Sequence, residues 1–359
     1  MILNYSKGDS MTRTVLSPDG LQVTAHGPLV EGFNDPLPID QDPEGRIYIG
    51  EFGGRTVTVL EPLPMVPEPL GQWNYLAPAP SSTLDAASAT LNDKLYMVGG
   101  KTSDGHTLDA FEYDPFRDSW TLIAPLPFDN AVENAAAASY GGKLYVFGGS
   151  TSAFSGAQNH AAFYNPVDDS WTTVSSMPTP RGGVTAQTLN GLIYVMGGMD
   201  DSGASLDTVE IYDPETDTWS TGPSLQTRRD NPGSAVLDGK IYVVGGRTRE
   251  FDGSQTNHAT VEVFEPATGW GFVAPMPTAR RTMTVGTISG RLQVIGGENP
   301  VVAANEEYNP VTNSWRSITD IDTGRHGAAA GTIRGKIYVA GGGPFAGLFF
   351  TDEVEVFSY

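Results

Sequence analysis

Cysteine is absent from this chain of 359 residues. Its absence excludes disulfides, thiolate nucleophiles, Cys-ligated zinc or iron–sulfur sites, and any cofactor made by crosslinking a Cys to a Tyr. Positive charge is scarce as well: 6 Lys and 15 Arg face 42 acidic side chains, a formal charge of −21 that disfavours nucleic acid and anionic membrane as partners. No run approaches the ~18 apolar residues of a membrane span. The opening MILNYSKGDSMTRTVL lacks the apolar stretch of a secretory signal, which leaves the compartment open. The 5 histidines show no metal-ligand spacing and MDDSGAS (199–205) lacks the spacing of a calcium loop, so neither metal nor cofactor is expected. Gly100-Lys101-Thr102 imitates the tail of a phosphate-binding loop, but Leu95 stands where that loop needs its first glycine.

Glycine, by contrast, is plentiful at 43 residues, and much of it is periodic. KLYMVGG (94–100) recurs as KLYVFGG (143–149), LIYVMGG (192–198), KIYVVGG (240–246), RLQVIGG (291–297) and KIYVAGG (336–342), with a degenerate copy, RIYIGEFGG, from Arg46. With the Tyr before the glycines as register mark, the copies fall at 48, 96, 145, 194, 242, 293 (Gln here) and 338. A second landmark follows each intact copy except the last: an aromatic, an Asn/Asp/Glu-Pro turn, then a Trp, as in FYNPVDDSW (163–171) and VEIYDPETDTW (209–219). The Pro turn is hairpin chemistry.

Glycine pair, aromatic, then Trp resembles the kelch repeat, whose family builds one four-stranded propeller blade from each copy. The resemblance implies an all-β, seven-bladed kelch-type β-propeller with four antiparallel strands per blade. Its b-strands are expected near 46–51, 94–99, 143–148, 192–197, 240–245, 291–296 and 336–341. The last repeat ends at Tyr359 without a strand d, and counting back from Tyr48 assigns that strand to residues 20–27. Residues 1–19 then form an N-terminal extension and 20–359 one propeller domain. A six-bladed ring that starts at Trp73 and leaves 1–66 as an appendage is the alternative. The Trp residues, and the Tyr of each strand b, are expected to bury apolar area between blades.

In such a blade the b–c loops and the d–a links share one face. The position 13 residues before each register mark reads Asp35, Thr83, Val132, Arg181, Arg229, Arg280 and Arg325, and Arg228, Arg281, Arg247 and Arg249 lie in loops of the same face. Arg grips carboxylate, sulfate and phosphate with two parallel bonds. The expected site is therefore a basic sector formed by Arg181, Arg229, Arg280, Arg325, Arg228, Arg281 and Arg247, with Asp35 on the opposite side. The competing reading makes each Arg a strut to the next blade. The apolar loop GPFAGLFF (343–350) adjoins Arg325 and walls the sector or caps the final blade. Kelch propellers that bind acidic peptides, and those that act on sialic acid, also place Arg in these links. The resemblance supports an anion-binding rim, and with no nucleophile, metal set or acid–base pair legible the expected function is a monomeric, non-catalytic module for an acidic small molecule, glycan or protein segment. The alternative is a sugar-acid mutarotase, with His326 or Glu133 moving protons.

Overall fold

The computed structural model describes residues 70–359 apart from Phe154, Phe251 and Asn299, together with five short strands before residue 61. Among the described residues there is no helix, and hence none long and apolar enough to cross a membrane. Six four-stranded antiparallel sheets make up a propeller. Blade I has strands a to d at Ala87–Leu91, Lys94–Val98, Ala110–Asp114 and Ser119–Ile123. Blade II spans Ala136–Tyr140 to Ser170–Thr173, blade III Thr185–Leu189 to Thr218–Thr221, blade IV Gly233–Leu237 to Gly269–Val273, and blade V Thr284–Ile288 to Ser314–Ser317. Blade VI takes Ala329–Ile333, Lys336–Ala340 and Val354–Ser358 from the end of the chain and borrows Gln72–Tyr75 as strand d. A channel of ≈460 Å³ runs between the six a-strands, which offer it mainly Ala, Ser, Thr and Gly.

Local chemistry explains the repetition. Each a–b turn places two consecutive residues at positive φ, for example Asn92 (52°) and Asp93 (60°), or Gly141 (57°) and Gly142 (76°), the two-residue hairpin turn whose twist suits β-strands. The glycine pair after strand b does not spare the channel, as crowding there would suggest. A Cβ on the first glycine would strike the next d–a link: Gly148 would meet the carbonyl oxygen of Arg181 at 2.5 Å, and Gly197 that of Arg229 at 2.6 Å. The second glycine's N–H donates to the same carbonyl, as Gly149 does to Arg181 at 3.0 Å. The pair is thus a hook between blades.

The Trp residues sit between blades, as expected, and each clasps the preceding one. Trp171 Nε1 donates to the carbonyl of Ala124 at 2.7 Å, while Ala124 N donates to Asp169 Oδ1 at 2.9 Å, an oxygen that also accepts from Tyr164 at 2.8 Å. Blades I, III and V repeat this with Ala77, Ser175 and Ala274 as the clasped residues. In blade IV, Trp270 grips the carbonyl of Pro223, which has no N–H to offer, and Phe264 replaces the Tyr.

The ring closes with six blades. Phe357 pairs with Trp73 and Ser358 with Gln72, so the six-bladed alternative is the observed one and the seven-bladed closure through residues 20–27 is corrected. Of those residues the structure describes Leu21 and Gln22, whose strand pairs with Leu16 and Val15; the rest lie outside the described residues, as does most of 1–19. The chain divides into two units, Met1–Pro69 and Leu70–Tyr359, so the propeller starts at 70 rather than 20. The degenerate copy does form a strand, Ile47–Gly50, in a separate three-stranded sheet with Ile39–Gln41 and Val57–Leu60. The Trp that follows it, Trp73, is taken by strand d of blade VI.

Candidate functional site

The four repeated arginines are struts. Arg181, Arg229, Arg280 and Arg325 are at most 2% exposed, and each guanidinium is held inside the blade that follows it. Arg181 reaches Glu210 at 2.9 Å and the carbonyl of Gly197 at 2.6 Å. Arg229 reaches Glu262 at 2.5 Å and the carbonyl of Gly245 at 2.7 Å. Arg280 binds Glu306 at 2.7 Å, and Arg325 binds Glu355 together with Glu353 at 3.1 Å. Burial pulls the first three guanidiniums below their ordinary pKa and pushes the Glu355 carboxyl up. The acids occupy one position of strand c. Where the link has no Arg, at Thr83 and Val132, that position holds Phe111 and Ala162. This exchange of Arg–Glu for apolar pairs is visible along the chain and was the signal for a strut.

The basic sector is likewise cancelled. Arg247 lies 2.6 Å from Asp230, Arg281 2.8 Å from Glu298, and Arg228 3.0 Å from Glu250. Asp35 lies outside the described residues. An anion approaching this face finds these guanidiniums already engaged.

The same face has a different centre. Two residues past each strut position the chain turns through positive φ, at Asp85, Asn134, Gly183, Asn231, Thr282 and Gly327. Their peptides form a closed circle: Asp85 N–H donates to Gly327, Gly327 to Thr282, Thr282 to Asn231, Asn231 to Gly183, Gly183 to Asn134, and Asn134 to Asp85, all at 2.8–3.0 Å. Asp, Asn and Gly tolerate this backbone; Thr282, β-branched at φ 52°, is strained. The circle surrounds a cavity of ≈90 Å³ at the mouth of the channel, lined by Asp85, Asn134, Asn231, Thr282 and Gly327 among others. The residue between strut and circle pairs with the one after the glycine pair, as Glu133 with Ser150, Arg281 with Glu298 and His326 with Gly343. Charged side chains are thereby gathered around the mouth.

Asp85 is the group most altered by this placement. Burial, reinforced by repulsion from Glu133 and Glu298 and partly offset by Arg281 and Lys101, pushes its carboxyl up to about 7. Glu133 is 2% exposed. Its Oε2 lies 3.2 Å from His106 Nε2 and 4.0 Å from Lys101 Nζ, yet His106 Nε2 is off line for a hydrogen bond and Glu133 Oε1 has no partner. His326, also buried, has its Nε2 3.1 Å from the carbonyl of Phe345, and burial draws its pKa down. Phe345 opens the apolar loop after blade VI's strand b, where Phe345, Leu348 and Phe349 are exposed and the two Phe rings stand edge to face at 5.4 Å. This loop thus adjoins His326 at the mouth. A cavity lined by a carboxyl whose pKa is raised to about 7 can bind a ligand or exchange a proton.

The hook, clasp and six-fold closure decide the kinship. The sequence matches the KLHDC2/KLHL20/DRC7 Kelch-repeats domain over residues 85–297 and, one blade on, over 134–342. The chain belongs to the kelch-repeat family. Its kelch blades are similar to Kelch-like protein 35 of Mus musculus, 31% identical over 172 residues that make up 46% of this chain and 27% of that protein. They also resemble Beta-scruin of Limulus polyphemus, at 26% identity over 39% of this chain and 16% of the relative. Kelch-like protein terF of Aspergillus terreus is 30% identical over 36% of this chain and 30% of its own length. The chain therefore spans less than a third of the length of these curated relatives. Among solved structures, that of YjhT covers 78% of the kelch chain and 96% of its own at TM-score 0.66 and 20% identity, a likeness of fold.

Proposed function

We propose that this kelch propeller is a non-catalytic binding module that takes a segment of a partner protein on the face bearing the b–c loops and d–a links. One observation carries the reading: Phe345, Leu348 and Phe349 are held exposed as a contiguous apolar patch beside a polar mouth. Exposed apolar groups rimmed by polar ones mark interaction sites, and b–c loops of unequal length on a rigid ring suit selective contact. The acidic occupant expected from the arginine series loses its holders, since the four guanidiniums are buried on glutamates. Peptides selected from a random displayed library on the full chain test this. Replacing Phe345, Leu348 and Phe349 by Ser is expected to weaken their binding at least tenfold, whereas Phe116→Ser with Val167→Ser, on the c–d turns of the other face, leaves it unchanged. The reverse pattern would move the site to that face.

A second reading, anomerisation of an acidic sugar, is favoured by Asp85, a carboxyl near neutrality in a cavity whose surroundings include Arg281. Here Asp85 exchanges the proton. Faster anomerisation of a freshly dissolved α-anomer with wild type than with Asp85→Asn supports it; equal rates exclude it.

A further inference from the structure

We infer that His326 is the positioning residue of the apolar patch: its neutral imidazole seats the loop 343–350 in the shape a partner meets, and a second proton on that ring unseats it. The inference rests on the binding reading above and adds its regulation. The loop has little else to hold it. Phe345, Leu348 and Phe349 are 53–63% exposed, so they add little burial. Among the described residues its backbone bonds to the rest of the blade lie at its ends, where Gly343 N–H donates to the carbonyl of His326 at 2.8 Å and Thr351 N–H to that of Gly342 at 2.9 Å.

The imidazole fills the space between. A Cβ on Gly343 would stand 2.6 Å from His326 Nε2 and 2.8 Å from the carbonyl oxygen of Phe349, so the two arms of the loop meet beside the ring. Nε2 lies 3.1 Å from the carbonyl oxygen of Phe345, a partner that only accepts, which places the proton of the neutral ring on Nε2 and leaves Nδ1 bare. His326 is 4% exposed, and its buried Nδ1 has no hydrogen-bond partner. A second proton would put an N–H where no acceptor stands and a charge where water does not reach; both are costly.

Burial draws the imidazole below its ordinary 6.5 and outweighs the groups that face it. Glu298, from the b–c loop of blade V, and the carbonyls of Phe345 and Gly347 favour the proton, while Arg281, paired with Glu298 at 2.8 Å, opposes it. From the link into blade I, Asp85 Oδ1 is the atom that a Cβ on the adjacent Gly327 would meet. An unseated loop exposes the ring and restores the ordinary value. As pH falls below 6.5 the unseated form takes up a proton that the seated form refuses, so the seated form loses ground until its own lower pKa is passed, and the loss is then constant. The patch is therefore presented at neutral pH and withdrawn in acid.

The test titrates peptides, selected on the full chain at pH 7.5, against three proteins at pH 7.5 and pH 5.5. Wild type should lose about threefold or more in affinity at the lower pH, within the tenfold per pH unit that one proton allows. His326→Gln, whose amide N–H can reach the carbonyl of Phe345 without titrating, should match wild type at pH 7.5 and hold that affinity at pH 5.5; His326→Ala should bind weakly at both. Asp85 and any acid on the peptide persist in the Gln variant, so an equal fall there overturns the role of His326. Amide exchange of the segment 343–351 in free wild type, taken relative to the intrinsic rate at each pH, depends on neither peptide nor variant and should be several-fold faster at pH 5.5. Equal protection at the two values, or level affinity in wild type, overturns the proposal and leaves the binding face intact. A pool insensitive to the Phe345, Leu348 and Phe349 substitutions, or a selection that yields nothing, overturns the binding reading and the switch with it.

Discussion

Trp73 and Phe357, 284 positions apart in the chain, are backbone partners in antiparallel register with ring centroids 5.2 Å apart. This contact turns an open array of five complete blades and one partial blade into a ring, and it leaves no sheet edge between first and last blades. Trp73 also donates to the carbonyl of Thr319 at 3.0 Å, the same grip that the other Trp residues take on their preceding blades.

The closure predicts an uneven response to truncation. A chain that begins at Leu70 should melt within a few degrees of the full chain, whereas one that begins after Leu76 loses blade VI's strand d and should melt far lower. Trp73→Ala should cost about 3–5 kcal/mol, as removal of a buried Trp does. Thermal unfolding followed by circular dichroism checks all three. A stable chain lacking residues 70–76 would contradict the closure.

Arg229 should behave as a strut. Arg229→Ala leaves Glu262, which is 0% exposed, without its partner, an uncompensated buried charge worth roughly 3–5 kcal/mol of stability. Replacing both, Arg229→Val with Glu262→Ala, copies the Val132 and Ala162 of blade II and should recover most of the loss. Denaturant melts of the two single variants and the double variant form a cycle. A single variant of wild-type stability would return Arg229 to the ligand site.

Thr282 carries removable strain. Thr282→Asn places at φ 52° a residue type that the circle already uses at Asn134 and Asn231, and should stabilise by about 1 kcal/mol, or a few degrees in Tm. The lost hydroxyl bond to the carbonyl of Arg281, 2.7 Å, offsets part of the gain. A lower melting temperature would show that this bond outweighs the backbone strain.

Asp85 predicts a pH signature. Its carboxyl is raised from the ordinary 3.8 to about 7 by burial and by Glu133 and Glu298, against Arg281 and Lys101. Between those values the folded chain holds a proton that the unfolded chain has released, so this group's contribution to stability falls as pH rises through the window and levels off above it. Asp85→Asn should therefore gain more in Tm over wild type at pH 8 than at pH 4. Equal differences at the two values would mean that Asp85 ionises as an ordinary carboxylate.

Blade boundaries, turns and the role of the Trp residues were legible because they depend on nearby sequence: a β-turn pair, a glycine hook, an aromatic landmark. The number of blades was not, although the 6 Trp residues counted them. The strand around Tyr48 keeps repeat spacing, but spacing does not reveal which strand pairs with Val354–Ser358. The struts were half legible, since the exchange of Arg–Glu for apolar pairs is written in strand c but acquires meaning only from the pairing of strands b and c. The mouth was less legible still. Asp85 feels the charges of Glu133 and Glu298, and His326 that of Glu298, only because links from different blades converge on the axis. Gln293 is a further case. The seat its missing Tyr would fill is occupied from the far end of the chain, where Tyr359 donates to Glu307 and accepts from Gln293 at 3.1 Å.

The borrowed strand also sets how the ring responds to force. Gln72 pairs with Ser358 and Tyr75 with Glu355, so residues 70 and 359 lie at the same end of the last sheet. Tension between them acts across the strands and parts the backbone bonds one at a time, like a zipper, instead of loading them all in shear. The propeller is then mechanically weakest at blade VI, and a pull on its two ends opens that blade before the other five feel it.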